Sequence, residues 1–151
     1  MAEILPIEGR DYMLGVIFKG ATQLTNHYLG LFTSQSATTV PAETAVLATA
    51  TGVTEASFTS YARVAIPTSD WGSAANATIW SQAVRALTAA QKAFVAAGAA
   101  YSGAAINGFF VATALTGGVA VYYSNFDDST AIPSLDLGSI VKVTPQFGLG
   151  A

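Results

Sequence analysis

The chain has 151 residues, 52% of them hydrophobic and only 10% charged, with a formal net charge of -3 and no cysteine. The length suits one domain, the six Lys and Arg are too few and too scattered to neutralise a nucleic-acid backbone, and the missing cysteines exclude disulfides, thiolate metal sites and a Cys nucleophile. Ordinary soluble domains carry about 25% charged residues, so a surface this short of charge predicts that part of the outer face is covered by other copies or other chains.

The start, "MAEILPIEGRDYMLGVIFKG", has acidic residues where a signal peptide has basic ones, and Pro6 and Glu8 interrupt its apolar run; no export signal is expected. Residues 1–10 read as a possible extended arm. "DYMLGVIFKG" and "NHYLGLFTS" are apolar, β-branched and aromatic on either side of the turn "GATQLT", which predicts two short strands. Residues 35–52 are rich in Thr, Ala and Ser, contain Pro41, and offer few large apolar anchors beyond Val46 and Leu47. They read as a long surface loop, and a loop of this length makes a candidate contact arm.

"GVTEASFTSYARVAI" follows a period of two. Phe58, Val64 and Ile66 are expected to face a core, while Glu55, Thr59 and Arg63 face water with Tyr61 across their stems, until Pro67 ends the strand. In "TSDWGSAANATIW", turn residues surround Trp71, and Thr78, Ile79 and Trp80 enter another strand. Residues 81–97 are ambiguous. Their Ala, Leu, Gln, Lys and Arg favour a helix, with Val84, Leu87, Gln91, Phe94 and Val95 roughly on one face and Gly98 as a C-cap. The neighbouring segments are strand-like, however, so helix and paired strands both stand on residue chemistry alone.

Ile106 to Thr113 and Val119 to Phe126 carry the densest strand signal, joined by "ALTGG" as a hairpin turn. A last strand, "SIVKVTPQF", alternates Ile140 and Lys142 against Val141 and Val143. Glycines and polar residues break the low-charge stretch from Ala93 to Asn125, so no membrane span is expected there. The expected fold is all-β: a β-sandwich or jelly roll of about eight short antiparallel strands in one domain over 1–151, with the arm and the long loop attached.

Candidate reacting groups are few. His27 is the single histidine, and with no second imidazole to join it, it reads as a packed or surface residue. No G-x-S-x-G elbow accompanies the serines. Asp127 and Asp128 are the only adjacent carboxylates; Ca²⁺ binding or glycoside hydrolysis would use such a pair, but no EF-hand spacing surrounds them and a solvated turn is the simpler reading. Glu55 is read as a surface charge near Arg63 rather than a buried base. "GGVAVYY" lacks the Gly-Lys-Ser/Thr of a phosphate loop. Trp71, Trp80, Tyr122 and Tyr123 would suit a sugar-stacking platform, although core or interface packing is preferred. No catalytic, cofactor-binding or metal residue is therefore assigned, and the chain is not expected to be an enzyme or to carry a cofactor.

The order of segments is more informative than any one of them. "LGLFTSQ", a Thr/Ala-rich loop, "TEASFTSYARVAI", "DWG", "INGFFVATALTGGVAVYYSNF" and "LDLGSIVKVTPQFGL" together resemble small structural proteins of tailed bacteriophages, from about Tyr28 to Leu149. In those proteins an "L-F-T" strand precedes "T-E-x-x-F-x-x-Y", a "G-x-F-V" strand with a glycine hairpin, and a final "G-x-x-V-x-V-T-P" strand. The resemblance implies a virion protein similar to capsid decoration or cement proteins. Such a protein would be a homodimer or homotrimer on the outside of the head, bound to the major capsid protein or another virion protein and assembled in the bacterial host cytoplasm, with no nucleic-acid or membrane partner. It also favours strands for 81–97. A tail, baseplate or fibre-associated protein is the alternative within virions, and a carbohydrate-binding sandwich using Trp71, Trp80 or Tyr122 is the alternative outside them.

Overall fold

The computed structural model describes residues 3–79, 82–126 and 130–150. In chain order the elements are β1 (Glu3–Ile4), α1 (Ile7–Phe18), β2 (Asn26–Phe32), β3 (Val64–Pro67), β4 (Ala75–Ile79), β5 (Gln82–Thr88), β6 (Lys92–Val95), β7 (Gly108–Ala112), β8 (Ala120–Asn125), β9 (Ile140–Val143) and β10 (Gln146–Gly150). The strands pair antiparallel in a five-stranded sheet, β1-β8-β7-β2-β3, a three-stranded sheet, β10-β5-β4, and the β6-β9 pair. The fold is all-β and sandwich-like, with a single α-helix among the described residues.

The five-stranded sheet is the middle layer, because alternation along its strands feeds two cores. Leu29 and Leu31 of β2, Ile66 of β3 and Phe109 and Val111 of β7 enter one cluster, where Phe94, Val141 and Val143 of the β6-β9 pair meet them. Phe32, Phe110, Ala112, Ala120 and Tyr123 face the other way. That second face is covered by Ala45 and Leu47 of the long loop and by Val53 just after it. With both faces covered, β7 and β8 are buried at every position, which accounts for their dense apolar and aromatic character.

Several expectations change. The stretch 11–20 is not a strand: most of it belongs to α1, which begins after Pro6 at the N-cap. Pro fits a helix start because its fixed φ suits the turn and its missing N–H has no partner there. The helical period is hidden because α1 is apolar on its sheet-facing side and on its outer side as well. Residues 3–10 are not a free arm either, since β1 pairs with β8 and Pro6 and Gly9 are buried. Residues 35–52 do form an irregular loop, but it lies on its own sheet, with Pro41, Ala45 and Leu47 buried. The surface of 7645 Å² is near the roughly 7,200 Å² expected of a compact monomer of this mass. Of the 52–66 stretch, only residues 64–66, the start of β3, are a strand. Within 81–97, Gln82–Thr88 and Lys92–Val95 are strands rather than helix, though β5 pairs with β4 and β10 while β6 pairs with β9.

Helix α1 is seated by a bulge. The β7-β8 register steps from Val111↔Tyr122 to Ala112↔Ala120, leaving Val121 as the extra residue. Gly9 sits directly on it: a Cβ there would lie 2.2 Å from the Val121 carbonyl oxygen and 2.7 Å from that of Ala120. Glu8 Oε1 beside it accepts the Ala120 amide at 2.7 Å and the Leu47 amide at 3.3 Å. The helix, the bulge and the long loop therefore meet at one point. Gly→Ala inside a helix is ordinarily worth about 1 kcal/mol of added stability, and Gly15, whose nearest neighbour would be an ordinary 3.8 Å away, should show that gain. Gly9→Ala should instead lose about 1–3 kcal/mol in urea unfolding, because backbone cannot make way. A stabilised Gly9→Ala would mean that the helix does not sit on the bulge.

Candidate functional site

The segment that follows β2 supplies the most connected polar group. Ala56 donates to the Leu31 carbonyl at 2.9 Å, so the chain runs back along the end of β2, and a turn closed by Tyr61 N–H to the Phe58 carbonyl at 2.7 Å reverses it again. This brings Glu55, Tyr61 and Arg63 together. Arg63 grips Glu55 with two prongs, Nε to Oε1 and Nη2 to Oε2, both at 2.8 Å. Its Nη1 donates to the carbonyls of Ala114 and Gly117, each at 2.7 Å, and its Cζ lies 5.0 Å from the Phe110 ring centroid. The Tyr61 hydroxyl donates to Glu55 Oε1 at 2.7 Å and accepts the Leu31 amide at 2.9 Å. Burial, and then the Glu55 carboxylate, push the Tyr61 phenol far above its ordinary value, so it remains a donor.

Arg63 does not face water as the strand reading expected. Its side chain is 3% exposed against 29% for Glu55. The chain leaves strand geometry between Glu55 and Arg63, so the period of two does not apply. Both Glu55 oxygens are held by these donors, so the residue is a half-buried ion-pair partner rather than the surface charge that the sequence reading expects, and it is not a free base.

His27 lies in β2 with Tyr12 of α1 beside it, hydroxyl to Nε2 at 3.4 Å. Its Nδ1 is buried without a hydrogen-bond partner, and burial lowers its pKa. The histidine is packed, in agreement with the sequence reading, and it lines an open cleft with Trp71. Tyr122 and Tyr123 are buried in different clusters, which removes both from any sugar platform. Trp80, Asp127 and Asp128 lie outside the described residues. Among the described residues no group of three or more His, Asp and Glu is placed to hold a metal ion, and no helix is long and apolar enough to cross a membrane.

No protein-family model and no curated protein matches the chain.

Two groups of exposed apolar side chains stand out on the surface. On α1, Ile7, Leu14 and Phe18 share one side at helical spacing, with Ile17 next to them and the exposed Arg10 and Asp11 between, and Phe18 is 77% exposed. On the β6-β9 pair, Val95 and Ile140 are direct cross-strand partners, both exposed, with exposed Leu137 in the turn before β9. The first face was missed because its segment reads as a strand. The second was visible in the alternation of "SIVKVTPQF", which sets Ile140 opposite in parity to the buried Val141 and Val143.

Two outcomes are expected. Arg63→Met should cost about 3 kcal/mol in chemical denaturation, at the low end for a broken buried pair because Glu55 keeps some water contact, and Glu55→Gln added to it should recover part of the loss; a single variant within about 1 kcal/mol of the parent would remove Arg63 from this role. For His27 the folded pKa lies below the unfolded value of 6.5. The unfolded chain thus takes up the proton first, and stability present above that pH is lost as pH falls through the folded pKa. The stability difference between the parent and His27→Gln should shrink between pH 7 and 5, with a slope of at most about 1.4 kcal/mol per pH unit. A parallel pair of curves would show His27 free to ionise in the folded protein.

Proposed function

We propose that the chain is a non-enzymatic structural protein of a tailed-bacteriophage virion that binds the outside of the capsid shell and stabilises it. The observation that carries the reading is the pair of separate apolar faces on a charge-poor scaffold. Helix α1 rests on β8 near one side of the middle sheet, and β6 lies against β3 at its other edge. Two such faces suit a protein that must touch a second copy of itself and a shell subunit together. Isolated surface hydrophobics are normal, whereas clusters of them mark contact sites. The segment order that resembles phage structural proteins supports the same reading, as does the covered middle sheet, which makes a stiff spacer.

Each shell contact can be weak. A symmetric lattice repeats it, and multivalency makes the sum strong. The faces offered for these contacts are apolar, so the isolated protein is a homodimer or homotrimer in this reading, and its shell partner is the major capsid protein or another virion protein.

The deciding experiment is the copy number per purified particle of the phage that encodes the chain, by quantitative mass spectrometry against the major shell protein. On the order of hundreds of copies is expected for lattice-wide decoration. A dozen or so would move the protein to the tail, baseplate or fibre, and absence from particles would overturn the reading. Static light scattering at micromolar concentration should give a dimer or trimer, and Ile140→Glu or Leu14→Glu should shift it toward monomer with thermal stability nearly unchanged, since both residues are exposed.

A further inference from the structure

The cleft beside His27 is separate from the two outer faces in kind: it is concave and has a floor. Its volume is about 280 Å³, at the small end of ligand pockets, which run from about 300 to 1,000 Å³. Val111 and Val121 of the middle sheet form the floor, Met13 and Val16 of α1 one wall, and Trp71 and Phe147 lie among the lining residues beyond them. Gln23 and Thr68, both exposed, stand at the rim. No residue of the lining carries a formal charge when His27 is neutral, and burial favours the neutral imidazole. A charged occupant would lose its hydration there without any compensating partner.

We propose that this cleft binds a small uncharged aromatic molecule of one or two rings bearing a hydrogen-bonding group. Volume sets the size. Aromatic walls and a methionine thioether favour a flat, polarisable occupant over a branched aliphatic one. The hydrogen-bonding group answers a second observation: His27 lines the cleft and its Nδ1 is buried behind that lining with no partner, an orphan that a turn of the ring would present to an occupant and that calls for an explanation. Its companion contact, Tyr12 hydroxyl to Nε2, is long at 3.4 Å, so the imidazole is not locked by its one neighbour and can turn toward an occupant. Ile17, Gln23 and Thr68 of the lining are exposed, so entry requires no opening of the core.

The test is an NMR titration of the full chain with 4-methylphenol and with indole, and with benzoate as the charged comparison. Saturable shifts are expected for the Val111, Val121 and Met13 methyls, with a Kd on the order of 1 mM for so small a probe, and benzoate about tenfold weaker or more. Intermolecular NOEs from the probe ring to the Val111 and Val121 methyls locate the occupant without any variant. Val16→Phe, which fills the cleft from the helix side, should abolish the shifts; if that variant does not fold, Met13→Phe replaces it, and the NOEs decide in either case. The His27 ring signals should move with 4-methylphenol and move less with toluene, which lacks the hydroxyl. The proposal is overturned by the absence of saturable shifts, by equal binding of benzoate, by NOEs confined to Ile140 or Phe18, or by cleft signals that shift with protein concentration alone, which would mean that another chain fills the space.

Discussion

A guanidinium with 3% of its side chain exposed is tolerated only when its donors meet acceptors, and Arg63 meets four from separate parts of the chain. Two are the oxygens of Glu55, and two are the carbonyls of Ala114 and Gly117 in the β7-β8 turn. The residue therefore ties the return segment after β2 to a hairpin some fifty residues later. Tyr61 extends the tie to β2 through the Leu31 amide and, by stacking 5.8 Å from Phe94, to β6. If Arg63 moved, a charge would be stranded, and so would two carbonyls and a carboxylate. The register between the middle sheet and the β6-β9 pair rests on this node more than on any strand pairing, because the two sheets share no ladder.

The other face of the middle sheet is managed differently. No second sheet covers Phe32, Phe110 and Tyr123; irregular chain does. A loop laid over a sheet must satisfy its own backbone, and two buried amides do much of this. Asn107 Nδ2 donates to carbonyls of Thr33 and Gln35, and Asn125 Nδ2 to those of Ser36 and Thr39, at 3.0 to 3.1 Å. Those donors let a Thr- and Ser-rich segment lie flat without strand pairing, and Glu8 holds its far end at Leu47. The loop is long because it is a layer of the fold.

The strands were readable where alternation or unbroken apolar character met turn residues. The hairpin around "ALTGG" appears where expected, with Gly117 and Gly118 at positive φ, a conformation that favours glycine. The missed parts share one cause. Helix α1 was unreadable because an apolar outer stripe gives it the look of a strand, and the Glu55–Arg63 pair because a period-two pattern is silent about a chain that reverses between its ends. The ambiguity of 81–97 was real. Ala and Leu favour a helix locally, but β4, β9 and β10, two of them distant in sequence, supply the hydrogen-bond partners that make strands of it, a case of tertiary context overriding propensity.

Charge completes the account of the surface. Of six basic side chains, Arg10, Arg63 and Lys92 are already paired with Glu43, Glu55 and Asp70 of the same chain, and Glu8 is turned inward to two amides. A chain that begins with few charges and uses several of them on itself has little left with which to steer a partner over long range. Recognition then falls to shape and apolar contact, which act only at short distance and are barely screened by salt. Such contacts form slowly between strangers but hold well once repeated. The helix stripe and the β6-β9 face are thus surfaces that act at close range, and the neutral lining of the cleft is of the same kind.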